Sequence, residues 1–313
     1  MYDVCCTGII VADVIAKAVD RLPVSGRLEL LEKLELHIGG CAANAAIDMS
    51  IIGLKTAIIG KTGEDGFGAF ARGELERNHV ECRGLRTSSR HGTSASVVTV
   101  NSSGERSFLH HIGANAALCG SDVDYEIVKN SKVLFIAGAL LMPGFDGECS
   151  AELLARAQTD NVYTALDTAW DASGRWMTVL KPCLKHLDLF IPSQEEAEML
   201  SGEKEPEKIA DVFIREGVKL AVIKLGAKGC FIKSRTGEKL FVGAYERVKA
   251  VDTTGAGDSF VSGFLTGIVK GWDLRKCGEF ANAVGAYCVM QTGATAGIKS
   301  MDDILKFMKE YKV

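Results

Sequence analysis

The sequence predicts an α/β fold in which a mainly parallel sheet carries helices on both faces, with a small β-sheet set beside it. Three observations predict it. From about residue 130 onward, short apolar runs alternate with helix-period segments. The glycine-rich segments follow extended runs and precede helices, as ligand loops do at the carboxyl ends of parallel strands. Between residues 93 and 112 the texture changes to a β-rich hairpin.

The elements follow in order. Val4–Val11 is an apolar run containing Gly8 and reads as one buried strand. Ala42–Ile52 has small and apolar residues at helical spacing, and Gly53 stops it. Thr56–Ile59 is a short β-branched run, and Phe67–Arg77 reads as a helix. Leu30–Leu36 adds an extended run. Ser94–Val100, the turn Asn101-Ser102-Ser103-Gly104 and Arg106–Ile112 make the hairpin. Val133–Ala137, Val162–Leu166, Leu187–Ile191 and Leu220–Lys224 are strands. Between them lie helices at Phe145–Gln158, Gly174–Lys185, Gln194–Leu200 and Pro206–Glu216. Leu225–Gly229 turns the chain into Cys230–Lys233. A β-branched strand from Val248 then leads to helices at Ala256–Val269, Leu274–Met290 and Met301–Tyr311.

Length and composition bound the function. A chain of 313 residues, 47% hydrophobic and 24% charged, forms one large globular domain, or one with a small attachment. The net charge of -4 and the lack of a basic face exclude nucleic acid and acidic membrane as partners. The apolar run near the N-terminus, bracketed by Asp3 and Asp13, is too short for a signal peptide or a span, so the expected location is the cytoplasm. Ten scattered cysteines without a CxxC pair are expected to be buried free thiols in a reducing compartment.

Two segments carry chemistry. In Val248–Phe260, VKAVDTTGAGDSF, an extended stretch runs into Gly255-Ala256-Gly257-Asp258 and a helix follows. Small residues let backbone N–H groups close on an anion, and the helix N-terminus adds free donors and a positive dipole end. Asp258 in the first turn is placed to take a proton from an attacking hydroxyl. In Ile38–Ala46, Gly39 and Gly40 break an extended run before a helix of small residues, with the Asn44 amide free to bind hydroxyls. Tight packing of that helix on the sheet explains the same composition.

These two segments resemble the two signatures of the ribokinase-like (PfkB) carbohydrate kinases, and further pieces fall in that family's order. Gly8 and Asp13 resemble its sugar-binding start, and Gly60, Gly63, Asp65 and Gly68 its next glycine block. The hairpin GERSF (Gly104–Phe108) resembles part of its lid. Pro192–Ala197 resembles its metal-associated stretch, and Lys224, Leu225, Gly226 and Gly229 its nucleotide-side turn. The resemblance spans nearly the whole chain, and DTTGAGDSF is its most specific part.

The resemblance implies a ribokinase-like three-layer α/β/α kinase domain over residues 1–313, with a β-sheet lid from inserted segments near 14–37 and 93–112. It implies ATP-dependent phosphorylation of a hydroxyl on a sugar or sugar-like molecule. Asp258 is the implied base, and the amides of Gly255, Ala256 and Gly257 the anion hole. Asp13, Gly39, Gly40, Asn44 and Arg106 are expected at the acceptor. Lys224, Gly226, Gly229 and Asn282 are expected at ATP, with Glu196 organising Mg²⁺ through water. A monovalent cation, potassium in the family, is expected at Asp252, the Thr254 carbonyl and the loop from Cys288 to Gly297. One departure stands out: the metal-associated stretch usually begins with Asn, and here Ser193 offers a shorter hydroxyl. A homodimer through the lid is implied too, with Val98, Val100, Phe108 and Leu109 on the shared face. A nucleoside kinase of the same superfamily and a catalytically silent regulator on this fold are the competing readings.

Other signals fail. Gly60-Lys61-Thr62 is no P-loop, because position 55 is Lys where that motif needs glycine. No G-x-G-x-x-G or G-x-S-x-G occurs. His110 and His111 alternate across a strand, and His37 and His79 lack partners at metal-ligand spacing.

Overall fold

The computed structural model describes residues 1–246 and 248–311. The chain opens with β1 (Tyr2–Gly8), β2 (Val11–Lys17), β3 (Lys33–Gly39), α1 (Cys41–Ile52), β4 (Thr56–Gly63), α2 (Gly66–Arg77) and β5 (Glu81–Ser88). The hairpin β6 (Ala95–Val100) and β7 (Arg106–His111) precedes α3 (Tyr125–Lys129), β8 (Ser131–Ala139), α4 (Glu148–Thr159), β9 (Tyr163–Thr168) and α5 (Met177–Leu184). Next come β10 (Leu189–Phe190), α6 (Gln194–Ser201), α7 (Pro206–Arg215), β11 (Leu220–Lys224), β12 (Cys230–Ser234) and β13 (Lys239–Val242). Three helices finish the chain: α8 (Ala256–Val269), α9 (Leu274–Val289) and α10 (Met301–Glu310).

Nine strands form one sheet in the order β13-β12-β11-β10-β9-β8-β1-β4-β5. Its strands run parallel except at β12, which pairs antiparallel with both β11 and β13. The alternation of side chains along each strand builds two cores. Val133, Phe135 and Ala137 of β8 face α1 and α8, joining Ala45, Phe260 and Phe264. Leu134 and Ile136 face the other way, onto Leu154 of α4, Leu180 of α5 and Phe213 of α7. Helices on both faces make three layers and leave the carboxyl strand ends as the open edge.

The apolar run Val4–Val11, expected as one strand, breaks at Ile9–Ile10. Asn115 holds the break: its amide donates to the Ile10 carbonyl (3.0 Å), and its Oδ1 accepts the Ile10 N–H (3.2 Å). Past this clamp β2 leaves the main sheet and enters a second one, ordered β3-β2-β6-β7. A second tie sits at the start of the hairpin. Asp65, the N-cap of α2, also accepts the N–H (2.7 Å) and hydroxyl (2.6 Å) of Thr93. The expected β-branched strand from Val248 does not form among the described residues. The N–H groups of Val251 (2.7 Å) and Asp252 (3.2 Å) instead donate to the Val289 carbonyl at the end of α9.

The second sheet has two faces. Leu36, Val14, Val97 and Leu109 pair across all four strands. Of this row Leu36, Val97 and Leu109 are exposed. Val98, Val100 and Phe108, expected on that face, lie on the opposite one, because side chains alternate along β6 and β7, and Val98 and Val100 close a small cluster with Ile15. The ten cysteines are free thiols. Among the described residues no helix is long and apolar enough to cross a membrane.

Candidate active site

The site is built around the start of α8. Gly255 is its N-cap, with φ of 78° in the left-handed region that glycine adopts freely. A Cβ there would stand 2.6 Å from the Ala294 carbonyl oxygen, so no other residue fits this turn. The turn leaves the N–H groups of Gly255, Gly257 and Asp258 without an acceptor among the described residues. The Ala256 N–H, expected in the same cradle, instead donates to the Thr253 carbonyl (3.2 Å), as the turn geometry demands. Free amides at a helix N-terminus attract negative charge.

Asp258 lies in the first turn of α8, beside these amides. Its Oδ2 accepts the Asn44 amide at 2.8 Å. Asn44 sits in α1 and is buried, so the two glycine-rich segments meet at one hydrogen bond. The Asn44 amide, expected at the acceptor, is committed through its nitrogen to the carboxylate, and its Oδ1 has no partner among the described residues. Burial raises the Asp258 carboxyl above the usual carboxylate range, against the Asn44 amide and the Lys224 ammonium, which favour the ionised form. Next to it, Ser259 donates to Asp48 (2.6 Å), a fully buried carboxyl that burial raises well above its usual range.

Two cavities flank this turn. The first, about 450 Å³, is lined by Asp258, Gly255, Gly257, Cys41, Asp167, Thr168, Trp170, Glu195, Glu196 and Lys224. The second, about 530 Å³, is mostly apolar and runs between Gly229, Tyr245, Val248, Phe260 and Asn282. Lys224, Gly226 and Gly257 line both, so they mark the junction. At Gly229, φ is 98° and a Cβ would stand 2.0 Å from the Val242 carbonyl oxygen, so this turn too is reserved for glycine. Asn282 lines the second cavity with its amide already donated to the carbonyls of Val242 (3.2 Å) and Gly243 (2.9 Å).

Sequence reasoning missed Asp167. It is the penultimate residue of β9, and its Oδ2 lies 2.6 Å from the Lys224 ammonium, with both side chains nearly out of solvent. Burial pushes the Asp167 carboxyl up to about 7. Burial alone would lower Lys224, but Asp167 and Glu196 outweigh it and raise the ammonium, which stays charged. The available signal was a carboxylate at the carboxyl end of a parallel strand. Glu196 and Ser193 form a capping box: the Ser193 hydroxyl accepts the Glu196 N–H (3.4 Å), and Glu196 Oε2 accepts the Ser193 N–H (3.0 Å). Thr168 donates to the same Oε2 at 3.0 Å. Ser193 is therefore a helix cap, a task Asn performs equally.

Across the turn lies the inner face of the second sheet. Asp13 packs directly over Gly39, where a Cβ would stand 2.1 Å from its Oδ2. Gly40 is as constrained, with φ of 92° and a Cβ position 2.5 Å from the Ile9 carbonyl oxygen. Strand pairing puts His37 and Ser96 beside Asp13, and His110 beside Ser96, with Ser96 Oγ 3.1 Å from His110 Nδ1. The sheet thus assembles a polar cluster whose histidines have no shared spacing in the chain. Burial raises the Asp13 carboxyl, against Ser96, His110 and His37, which pull it down.

Arg106, expected at the acceptor, is engaged elsewhere. From β7 its Nη2 reaches Asp252 Oδ2 at 2.6 Å, and Nη1 donates to the Thr254 hydroxyl. Asp252 also accepts the N–H groups of Thr254 and Gly293, each at 2.9 Å. Burial alone would raise Asp252; these N–H donors and the guanidinium hold it below the usual carboxylate range. Both oxygens of Asp252, one expected ligand of a monovalent cation, are thus engaged within the protein.

The sequence profile of the pfkB family carbohydrate kinase matches residues 1–301. An uncharacterized sugar kinase of Archaeoglobus fulgidus is 31% identical over 256 residues, covering 81% of this chain and 99% of the relative. An ATP-dependent 6-phosphofructokinase of Thermoanaerobacterium thermosaccharolyticum is 28% identical over 273 residues, covering 86% of this chain and 84% of its own. The structure of Arabidopsis thaliana ribokinase complexed with ribose and ATP superposes with a TM-score of 0.87 at 26% identity, covering 98% of this chain and 99% of that one. The three-layer arrangement is accordingly the ribokinase-like α/β fold.

Proposed function

Because the chain belongs to the pfkB family of carbohydrate kinases, and is by that membership a sugar phosphotransferase, we propose that it moves the γ-phosphate of ATP to a hydroxyl of a sugar or sugar-like molecule, with Asp258 as the general base. One observation carries this reading: a carboxylate raised by burial and steered by Asn44 stands beside amides at the start of α8 that have no acceptor among the described residues.

The geometry supports a division of labour. The apolar cavity takes the adenine, and Lys224 at the junction takes phosphate charge. The Gly255 and Gly257 amides meet the charge spread over the moving phosphoryl group. Asp258 accepts the proton of the attacking hydroxyl. Asp13, Gly39 and Gly40 form the acceptor wall, with the His37 and His110 rings beside it.

The donors present suit Mg²⁺. Hard carboxylate oxygens of Glu196 and Asp167 face the first cavity, yet no three of the described residues form a metal cage. Mg²⁺ is held that way when it arrives with phosphates and keeps several waters. When bound it neutralises phosphate charge; Glu196 would hold its water shell, and Asp167 keeps Lys224 in place.

The second sheet acts as a lid over the acceptor, excluding water as a competing phosphoryl acceptor. Its exposed apolar row fits a second copy of the chain. A species of twice the chain mass in sedimentation equilibrium is expected, and Leu109→Asp yielding no change in mass would remove the lid as the interface. For the chemistry, ATP consumption is measured over a panel of sugars and nucleosides. Turnover with a sugar is expected, and turnover confined to nucleosides would move the assignment to the nucleoside branch.

A further inference from the structure

The resemblance assigns a monovalent cation to Asp252, the Thr254 carbonyl and the loop from Cys288 to Gly297, but the residues here do not fit one. The Asp252 carboxylate is 6% exposed and has both oxygens engaged, by the N–H groups of Thr254 and Gly293 and by Arg106. Two of the expected carbonyl oxygens also face a protein group. The Cys288 thiol lies 3.3 Å from the Thr254 carbonyl oxygen and 3.2 Å from that of Ala294. Burial pushes this thiol up to about 12, so it stays protonated and has one proton to give to this pair of oxygens. A potassium ion needs several bare oxygens. Here a guanidinium holds the carboxylate and a thiol lies against the carbonyls.

We infer that Arg106 is the built-in cation of this kinase, a positioning residue that makes the anion-hole turn independent of potassium. This rests on the kinase reading above. A guanidinium is charged at every working pH and matches a carboxylate geometrically, so it supplies a fixed positive charge behind the Gly255 amide. Without it, the Asp252 charge would stand unopposed three residues before the turn that receives a phosphoryl group. The charge is mounted on β7 of the second sheet, whereas Asp252 belongs to the loop ahead of α8. The turn is therefore neutralised only while that sheet lies against it. A soluble ion would neutralise it with the lid open or shut.

The test uses the whole protein in tetramethylammonium chloride, with K⁺ or Na⁺ exchanged in at constant ionic strength. Melting temperature and ATP turnover with the best acceptor are both read. Turnover is expected to change by less than about twofold, and the melting temperature to stay level, because a cation without a site cannot stabilise the fold. Arg106→Ala is expected to lower kcat about tenfold or more, less than the loss of a direct oxyanion donor, and added guanidinium ion is expected to restore part of it. Potassium activation of the wild type of about tenfold with a rise in melting temperature would overturn the inference. So would an unchanged kcat in Arg106→Ala. If the alanine variant does not fold, Arg106→Lys serves. It keeps the charge and is expected to remain insensitive to K⁺, and its activation by K⁺ counts against the inference. The melting readout needs no acceptor, so failure of the sugar assignment leaves it intact.

Discussion

Asp252 and Asp258 stand at the two ends of one glycine turn, and the protein treats them oppositely. Asp252 is tied down by two backbone N–H groups and a guanidinium, and is held low. Asp258 receives one amide, faces a cavity and is pushed up by burial. A carboxylate with both oxygens engaged is structural. One that is raised and incompletely satisfied has capacity left for a proton. The difference between two identical side chains six positions apart thus separates the proposed base from its foundation.

The widest separation expected comes from Asp258→Asn. Turnover should fall by roughly 10²–10⁴-fold, the range for a positioned acid or base, while ATP binding by calorimetry stays near wild type. An undiminished kcat in that variant would erase the contrast. A smaller effect, about tenfold in kcat at neutral pH, is expected from Asn44→Ala, which removes a charge-assisted hydrogen bond. Its informative part is the pH profile. Asn44 donates to the ionised form of Asp258, so deleting it raises that carboxyl further. The acid limb of kcat should move to higher pH, because the base protonates earlier as pH falls. A limb that stays in place would show that Asp258 is not the group titrating.

Legibility in the sequence followed the same division. The turn at Gly255–Asp258 could be found because its backbone excludes other residues: left-handed φ and a 2.6 Å approach leave glycine alone. Gly39 and Gly40 stand out for a similar reason, since the close approach of Asp13 to Gly39 and of the Ile9 carbonyl to Gly40 forbids a side chain. The parallel sheet was legible because runs such as Val133–Ala137 are buried on both faces. Arg106 was misassigned because its partner is chosen by where the second sheet comes to rest, which no local pattern encodes. The same holds for Asp167 with Lys224, and for His37, Ser96 and His110, which strand register alone brings together. The break at Ile9–Ile10 escaped notice because both residues are as apolar as the strand before them.

That break has a mechanical consequence. The Asn115 clamp fixes the backbone of Ile10 from both sides, so the short stretch between β1 and β2 is a pinned axle. Asp13 lies three residues beyond it, and Arg106 rides on the same rigid blade two strands away. Any swing about that axle carries the Asp13 carboxylate and the Arg106 guanidinium together, so under the proposed function the grip on the acceptor and the charge balance at the glycine turn would engage in a single stroke.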